Sequence, residues 1–245
     1  MKTVAIIQAR MRSSRLPGKV ILPLANKSVL WWIVTRIKQA KMVDEIIIAT
    51  TTHKSNNDII KKGNIPAGCA FFRYDGDEND VIGRVIACAE WAKADIIVDI
   101  TGDCPLIDPA HIEYLLYHVL TYGYDYASNC VDRSWPDGLD IQVYKTHILK
   151  EVKDRFNPVH HAGWNIAQHP KEFKIYSWLA PIFMHWPELG LTLDTPEDYE
   201  LLKIIFNQFN GDVSFAAENV VMFLRNNPAL LEINKKIKRK TPEEG

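Results

Sequence analysis

Residues 1–19 read MKTVAIIQARMRSSRLPGK, and this opening decides the fold class. Val4-Ala5-Ile6-Ile7 is a short apolar run, the pattern of a strand covered on both faces. It breaks at Gln8-Ala9-Arg10 into a polar loop that lasts to Pro17-Gly18-Lys19. Ser28 then caps an expected helix carrying Val29, Leu30, Ile33, Val34 and Ile37 on one apolar face. Ile46-Ile47-Ile48-Ala49 repeats the buried-strand pattern and ends in Thr50-Thr51-Thr52. A weaker strand around Ala70-Phe71-Phe72 precedes a helix over residues 80–93, and Ile96-Ile97-Val98-Asp99-Ile100 runs into Thr101-Gly102-Asp103-Cys104-Pro105. Alternating strands and helices predict an α/β fold with a mostly parallel central sheet. In such sheets ligands sit outside the carboxyl ends of the strands, so these polar loops are where chemistry is expected.

The second half is less regular. Residues 124–128 and 139–144 read as strands flanking Trp135-Pro136-Asp137-Gly138, a turn by its Pro and Gly. Residues 173–178 form a further alternating strand. Pro196 starts a helix to about Phe209, with Asp194 or Thr195 as its cap. A last helical stretch is expected over residues 214–240, interrupted by Pro228. No linker or repeat divides the chain, so residues 1–245 are expected to form one domain. Its parts would be a nucleotide-binding half at 1–122, an acceptor and dimerisation half at 123–210, and a helical extension at 211–245.

Composition narrows the function classes. The 29 Lys+Arg balance 30 Asp+Glu for a net charge of -1, which gives no electrostatic case for a nucleic-acid partner. A hydrophobic fraction of 47% argues against wholesale disorder. Cysteines 69, 88, 104 and 130 form no CxxC pair, and scattered thiols fit a reducing compartment better than a disulfide scaffold. The opening lacks the longer apolar core of a signal peptide, and no apolar run approaches the roughly 20 residues that span a bilayer. A cytoplasmic protein without a membrane partner is expected.

The loop at residues 8–19 places four cations and two hydroxyls directly after a buried strand. Guanidinium forks match phosphate oxygens, and backbone amides of such a loop can cradle an anion. A solvated basic turn is the bland alternative. The loop matches neither GxxxxGK[ST] nor GxGxxG, which argues against a kinase-type P-loop or a nicotinamide site.

IIQARMRSSRLPGKV resembles the opening of the cytidylyltransferases related to the spore-coat polysaccharide biosynthesis protein and to CMP-sugar-acid synthetases, whose pattern is close to QARMGSSRLPGKVL. Residues 43–52, 100–108, 193–198 and 227–234 resemble the same family, in order and over nearly the whole chain. The resemblance implies a single Rossmann-like, glycosyltransferase-A-type nucleotidyltransferase domain with C-terminal helices. It further implies transfer of CMP from CTP to a sugar acid or a sugar or polyol phosphate for surface-glycan synthesis, with release of pyrophosphate, Mg²⁺ as cofactor and a homodimer. Carried over residue by residue, Arg15, Lys19 and Asp103 are the catalytic candidates. Gln8, Ala9, Arg10, Arg15, Lys19, Thr50, Thr52, Asp80, Thr101 and Asp103 are the nucleotide-binding ones. Asp103 and Asp194 are the metal candidates, and Arg84, Asp140 and His161 are expected to face the acceptor.

Each role has a plainer rival. Asp103 could cap a loop, Asp194 a helix and Asp80 a helix; Thr50 and Thr52 could simply end a strand, and Asp137-Gly138 could be a hairpin turn. Trp31-Trp32 reads as core or subunit interface, and Lys235, Lys236, Lys238, Arg239 and Lys240 as the solvated basic end of a helix. The chain departs from the family at three places. Arg12 stands where Gly is usual; in residues 159–164 His161 matches the family's His while His160 replaces a Glu; and Leu189-Gly190-Leu191-Thr192 stands where many members carry Arg-Trp. Because the last two lie in the acceptor half, they leave the nucleotide reading standing, put the acceptor's identity in doubt and keep open a nucleotide-binding homologue without turnover; a separate rival is the same fold using UTP or another nucleotide.

Overall fold

A computed structural model describes residues 1–156 and 161–239. In chain order the elements are β1 (Thr3–Gln8), β2 (Pro23–Leu24), β3 (Lys27–Ser28), α1 (Val29–Ile37), β4 (Glu45–Thr51), α2 (Asn57–Lys62), β5 (Cys69–Tyr74), α3 (Val81–Ala92), β6 (Ile96–Thr101) and α4 (Pro109–Tyr122). They continue as β7 (Tyr126–Ser128), β8 (Gln142–Lys145), α5 (Thr146–Arg155), α6 (Ala162–Ala167), β9 (Ile175–Ser177), α7 (Pro196–Gln208) and α8 (Ala217–Asn226), followed by a 3₁₀ turn over Pro228–Ile233.

A seven-stranded sheet runs in the order β5-β4-β1-β6-β8-β7-β9. Among the described residues β8 is antiparallel to both neighbours, whereas β5-β4, β4-β1, β1-β6 and β7-β9 pair in parallel. The mostly parallel sheet expected from the alternating pattern is therefore present. Its central strand β1 is enclosed on both faces for the reason its sequence implies. Ala5 and Ile7 pack with Leu30, Ile33, Leu116 and Leu202, while Val4 and Ile6 pack with Val85, Ala89, Leu149 and Ile166. Helices α1, α4, α7 and α8 cover the first face; α3, α5 and α6 cover the second. Each fully buried Ile or Leu contributes about 1.5–3 kcal/mol, so this sandwich anchors everything built on the strand ends.

Register sets the site. Gln8 pairs with Ala49 on one side and Thr101 on the other, so β1 and β6 finish level while β4 runs on to Thr51 beside them. Helix starts follow the sequence: the Ser28 hydroxyl accepts from Trp31 N, and Asp80 and Asp108 cap α3 and α4. Trp32 is core, its indole N–H donating to Leu24 O at 2.8 Å.

Two expectations are corrected. The last stretch is not helical through residue 239: α8 ends at Asn226 and a 3₁₀ turn ends at Ile233, so Lys235, Lys236, Lys238 and Arg239 are not the end of a helix, while Lys240 lies outside the described residues. Pro228 cannot continue α8. Residues 136–138 also make no tight hairpin. β7 ends at Ser128 and β8 begins at Gln142, and Asp137 instead forms a β-bridge with Gly190. No described helix is long and apolar enough to cross a membrane.

Candidate active site

The loop after β1 folds back on itself. Met11 O accepts from Gly18 N at 2.8 Å and Ser13 N at 3.2 Å, and Gly18 turns the chain with φ 73°. Met11 N donates to Asn56 Oδ1 at 2.9 Å, which moors the loop to the segment after β4. Between this loop, the end of β4 and residues 76–79 lies an open cleft of about 1040 Å³, lined by Arg10, Arg12, Ser13, Thr52, His53 and Glu78 among others. Arg12 points across it, 3.8 Å from Glu78, so the side chain that replaces the usual Gly adds a cation to the cleft wall. Arg10 also reaches that wall, donating to Asn79 Oδ1 at 3.2 Å.

At the inner end of the loop three segments meet. Lys19 Nζ donates to Asp103 Oδ2 at 2.5 Å and to Asp194 Oδ1 at 2.8 Å, while Arg15 Nη2 lies 2.9 Å from Asp194 Oδ2. Asp103 follows β6, and its carbonyl accepts from Leu193 N at 2.9 Å, which locks the two acidic loops together. Burial alone would lower the Lys19 ammonium, but Asp103 and Asp194 overcome it and hold the group above the ordinary lysine range. Burial opposes ionisation of Asp103; Lys19 prevails and holds the carboxyl below its usual value. Both groups are therefore charged at neutral pH.

The rivalry over Asp194 is resolved by its neighbour. Thr195 caps α7, its hydroxyl accepting from Asp198 N at 3.3 Å while Asp198 returns the bond to Thr195 N at 3.0 Å. The Asp194 carboxylate is thereby left to Arg15 and Lys19.

The remaining candidates divide. Thr52 lines the cleft. Thr50 is enclosed, and its buried hydroxyl has no hydrogen-bond partner. Ala9 is 3% exposed, and its N–H is spent on Ala49 O at 3.1 Å. Asp80 serves as the cap of α3 and accepts from Tyr74 OH at 2.7 Å. Thr101 Oγ1 lies 3.0 Å from Cys104 Sγ. Arg84 is buried; it donates to Glu78 O at 2.9 Å and Gln8 Oε1 at 3.2 Å, so it braces Glu78 on the cleft wall. Asp140 is held by Arg133 at 3.0 Å. His161 is the cap residue of α6; His160 lies outside the described residues.

Several residues around the site were not singled out by sequence. Asp99 is 3% exposed and accepts from Gln8 Nε2 at 2.6 Å and Tyr144 OH at 2.7 Å, tying β1 to β8 beneath the cleft. Burial pushes its carboxyl up, opposed by those bonds and by the charges of His161 and Arg84. The signal for Asp99 was a lone carboxylate inside an apolar strand, which must be paired to be buried.

Asp137 is a second such group. Burial, and then Asp140, push it up to about 7 despite Arg133 and Arg239. Its ordinary value is 3.8, so between pH about 4 and 7 the native state holds a proton that the unfolded chain releases. Stability from this group is therefore present at low pH and lost as pH rises through that window. Asp137→Asn should flatten the fall, gaining on the order of 2 kcal/mol relative to wild type between pH 5 and 8 in denaturant titrations. Parallel curves for the two proteins would contradict the assignment.

The sequence profile described as Cytidylyltransferase matches residues 4–237. The chain belongs to the cytidylyltransferase family. Among relatives of this cytidylyltransferase-family chain, the spore coat polysaccharide biosynthesis protein SpsF of Bacillus subtilis is 31% identical over 233 residues, covering 91% of the chain and 94% of that protein. The uncharacterized protein MJ1063 of Methanocaldococcus jannaschii is 32% identical over 251 residues, covering 100% and 99%. A solved cytidylyltransferase from Leptospira borgpetersenii superimposes with TM-score 0.85 at 28% identity, covering 98% of the chain and all of that structure. A CMP:2-keto-3-deoxy-manno-octonic acid synthetase complexed with CTP shares the fold, with TM-score 0.64 at 19% identity over 85% of the chain. The resemblance noted in the sequence and the nucleotidyltransferase fold it implies thus hold.

Proposed function

We propose that this protein transfers CMP from CTP to a sugar-acid or phosphorylated sugar or polyol acceptor, releasing pyrophosphate. The observation that carries this reading is the junction of Lys19, Asp103 and Asp194 at the end of the same basic loop whose residues 10–14 line the open cleft. Cytidylyl transfer forms a bond from an acceptor oxygen to the α-phosphorus and breaks the bond to pyrophosphate. It needs charge neutralisation and alignment more than covalent catalysis. Arg10, Arg15 and Lys19 supply fixed positive charge beside the basic loop, and the residues of the second half would present the acceptor.

The residues present fit Mg²⁺. Two carboxylates from separate loops converge on one cationic position, which the Lys19 ammonium fills, and hard oxygen donors of this kind suit that ion. Asp103 and Asp194 would hold it. When bound, the ion would neutralise triphosphate charge and polarise the reacting phosphoryl group.

Expected in solution is pyrophosphate release from CTP with Mg²⁺ and a competent acceptor. A larger thermal shift with CTP than with UTP, ATP or GTP should accompany it; at ligand near 100 times Kd the gain is about 2.7 kcal/mol. A larger shift with UTP would change the nucleotide, and CTP binding without release for any acceptor would favour a non-catalytic homologue.

A further inference from the structure

Among residues 234–239, which follow the 3₁₀ turn, Asn234 and Arg239 are tied back to the fold. Arg239 lays its guanidinium two-pronged on Asp198, with Nη2 at 2.6 Å from Oδ1 and Nη1 at 3.0 Å from Oδ2, and its Nε lies 3.8 Å from Asp137. Asn234 assists, donating to Asp198 Oδ1 and to Gly190 O, both at 2.9 Å. Asp198 is only 1% exposed, and its Oδ2 also accepts from Asp194 N at 3.1 Å and Thr195 N at 3.0 Å. One carboxylate therefore receives the C-terminal guanidinium on one side and the backbone that carries Asp194 on the other.

Asp137 is bound to the same structure by its backbone. Its N donates to Leu189 O at 2.9 Å and its O accepts from Leu191 N at 2.6 Å, and the adjoining Gly138, at φ 102°, lies directly against Leu191 and Thr192. Gly190 makes room for the guanidinium: a Cβ there would stand 2.0 Å from Arg239 Nη2 and 2.4 Å from Cζ.

We infer that Arg239 is a positioning residue: together with Gly190 and Asp198 it forms a clasp that holds the Asp194 loop and the 136–140 loop in register. For turnover this rests on the cytidylyltransferase reading, in which Asp194 serves the nucleotide side and residues 136–140 serve the acceptor. The clasp itself rests on contacts between these residues alone.

The test is a double-mutant cycle with Gly190→Ala, Arg239→Ala and the pair, with Arg239→Lys as a conservative fourth variant. The three nearest atoms that the added methyl would meet all belong to the Arg239 guanidinium, so the effects should be non-additive: each single variant impaired and the pair no worse than Arg239→Ala alone. In steady-state assays the acceptor kcat/KM should fall roughly tenfold in both single variants. The KM for CTP should stay within about twofold of wild type, and Arg239→Lys should recover part of the loss because it keeps charge without the two-pronged geometry. Amide hydrogen exchange, which needs no substrate, should show lost protection at Asp137, Leu191, Asp194 and Thr195 in each single variant, with no further loss in the pair. Additive effects, or wild-type protection at these amides in Arg239→Ala, would overturn the clasp whatever the protein's turnover. Lost protection together with no transfer by the wild-type protein would uphold the clasp and reject the cytidylyltransferase reading.

Discussion

Asp103→Asn is expected to lower cytidylyl transfer by at least about a hundredfold while leaving the fold intact, because a lost metal clamp removes several kcal/mol of transition-state stabilisation. The side chain keeps its shape, and its backbone anchor is untouched, since the Asp103 carbonyl that accepts from Leu193 N does not depend on the carboxylate. Lys19 retains Asp194 as a partner at 2.8 Å, so the junction does not collapse. What disappears is one of the two hard oxygen donors and the negative charge opposite the basic loop. Pyrophosphate release measured across Mg²⁺ concentrations checks this, since a weakened metal site moves the Mg²⁺ requirement upward as well as lowering the maximum. Full turnover at unchanged Mg²⁺ would remove Asp103 from the metal role.

The second large effect belongs to Lys19→Met. The ammonium neutralises two carboxylates that converge on it, with side-chain exposures of only 12% for Lys19, 21% for Asp103 and 17% for Asp194. Taking one partner from such a group leaves like charges facing each other. After allowing for partial solvation the cost is about 2–3 kcal/mol of stability. Added Mg²⁺ should restore more stability to Lys19→Met than it gives wild type, because the wild-type lysine competes with the metal for the same oxygens. Turnover should still drop about a hundredfold, since the cation that would meet the triphosphate is gone. Melting curves with and without Mg²⁺ decide the matter. An equal Mg²⁺ effect on both proteins would mean that the two carboxylates do not form the metal site.

How far the sequence foretold the molecule depends on the kind of force involved. The strands β1, β4 and β6 were legible because a strand buried on both faces must be apolar throughout, and Val4, Ile6, Ile47 and Val98 meet that demand with no exposure. Helix starts were legible for the same local reason, with Ser28 and Asp80 each serving as the cap the sequence suggested. The choice between Asp194 and Thr195 was not, because both residue types cap helices. Only the reciprocal bond between Thr195 and Asp198 settles it.

The C-terminal segment shows the limit most clearly. A run of lysines with one arginine reads as a solvated end, and nothing local marks Arg239 as the partner of an aspartate 41 residues earlier. The pairing depends on Gly190, where a side chain would run into the guanidinium. Thr50 shows a related limit within the sheet. A hydroxyl at a strand end next to a polar loop has the right type and place for a ligand contact, and only packing reveals that it is enclosed.

The central claim is that the Lys19, Asp103 and Asp194 junction serves transfer of a cytidylyl group. The most direct measurement is mass spectrometry of the products formed from CTP, Mg²⁺ and a panel of sugar-acid and sugar- and polyol-phosphate acceptors. The account predicts a conjugate heavier than its acceptor by one cytidylyl group, with one pyrophosphate released per conjugate and neither formed by Asp103→Asn above about a hundredth of the wild-type rate. CTP bound tightly but recovered unchanged across the whole panel would contradict it.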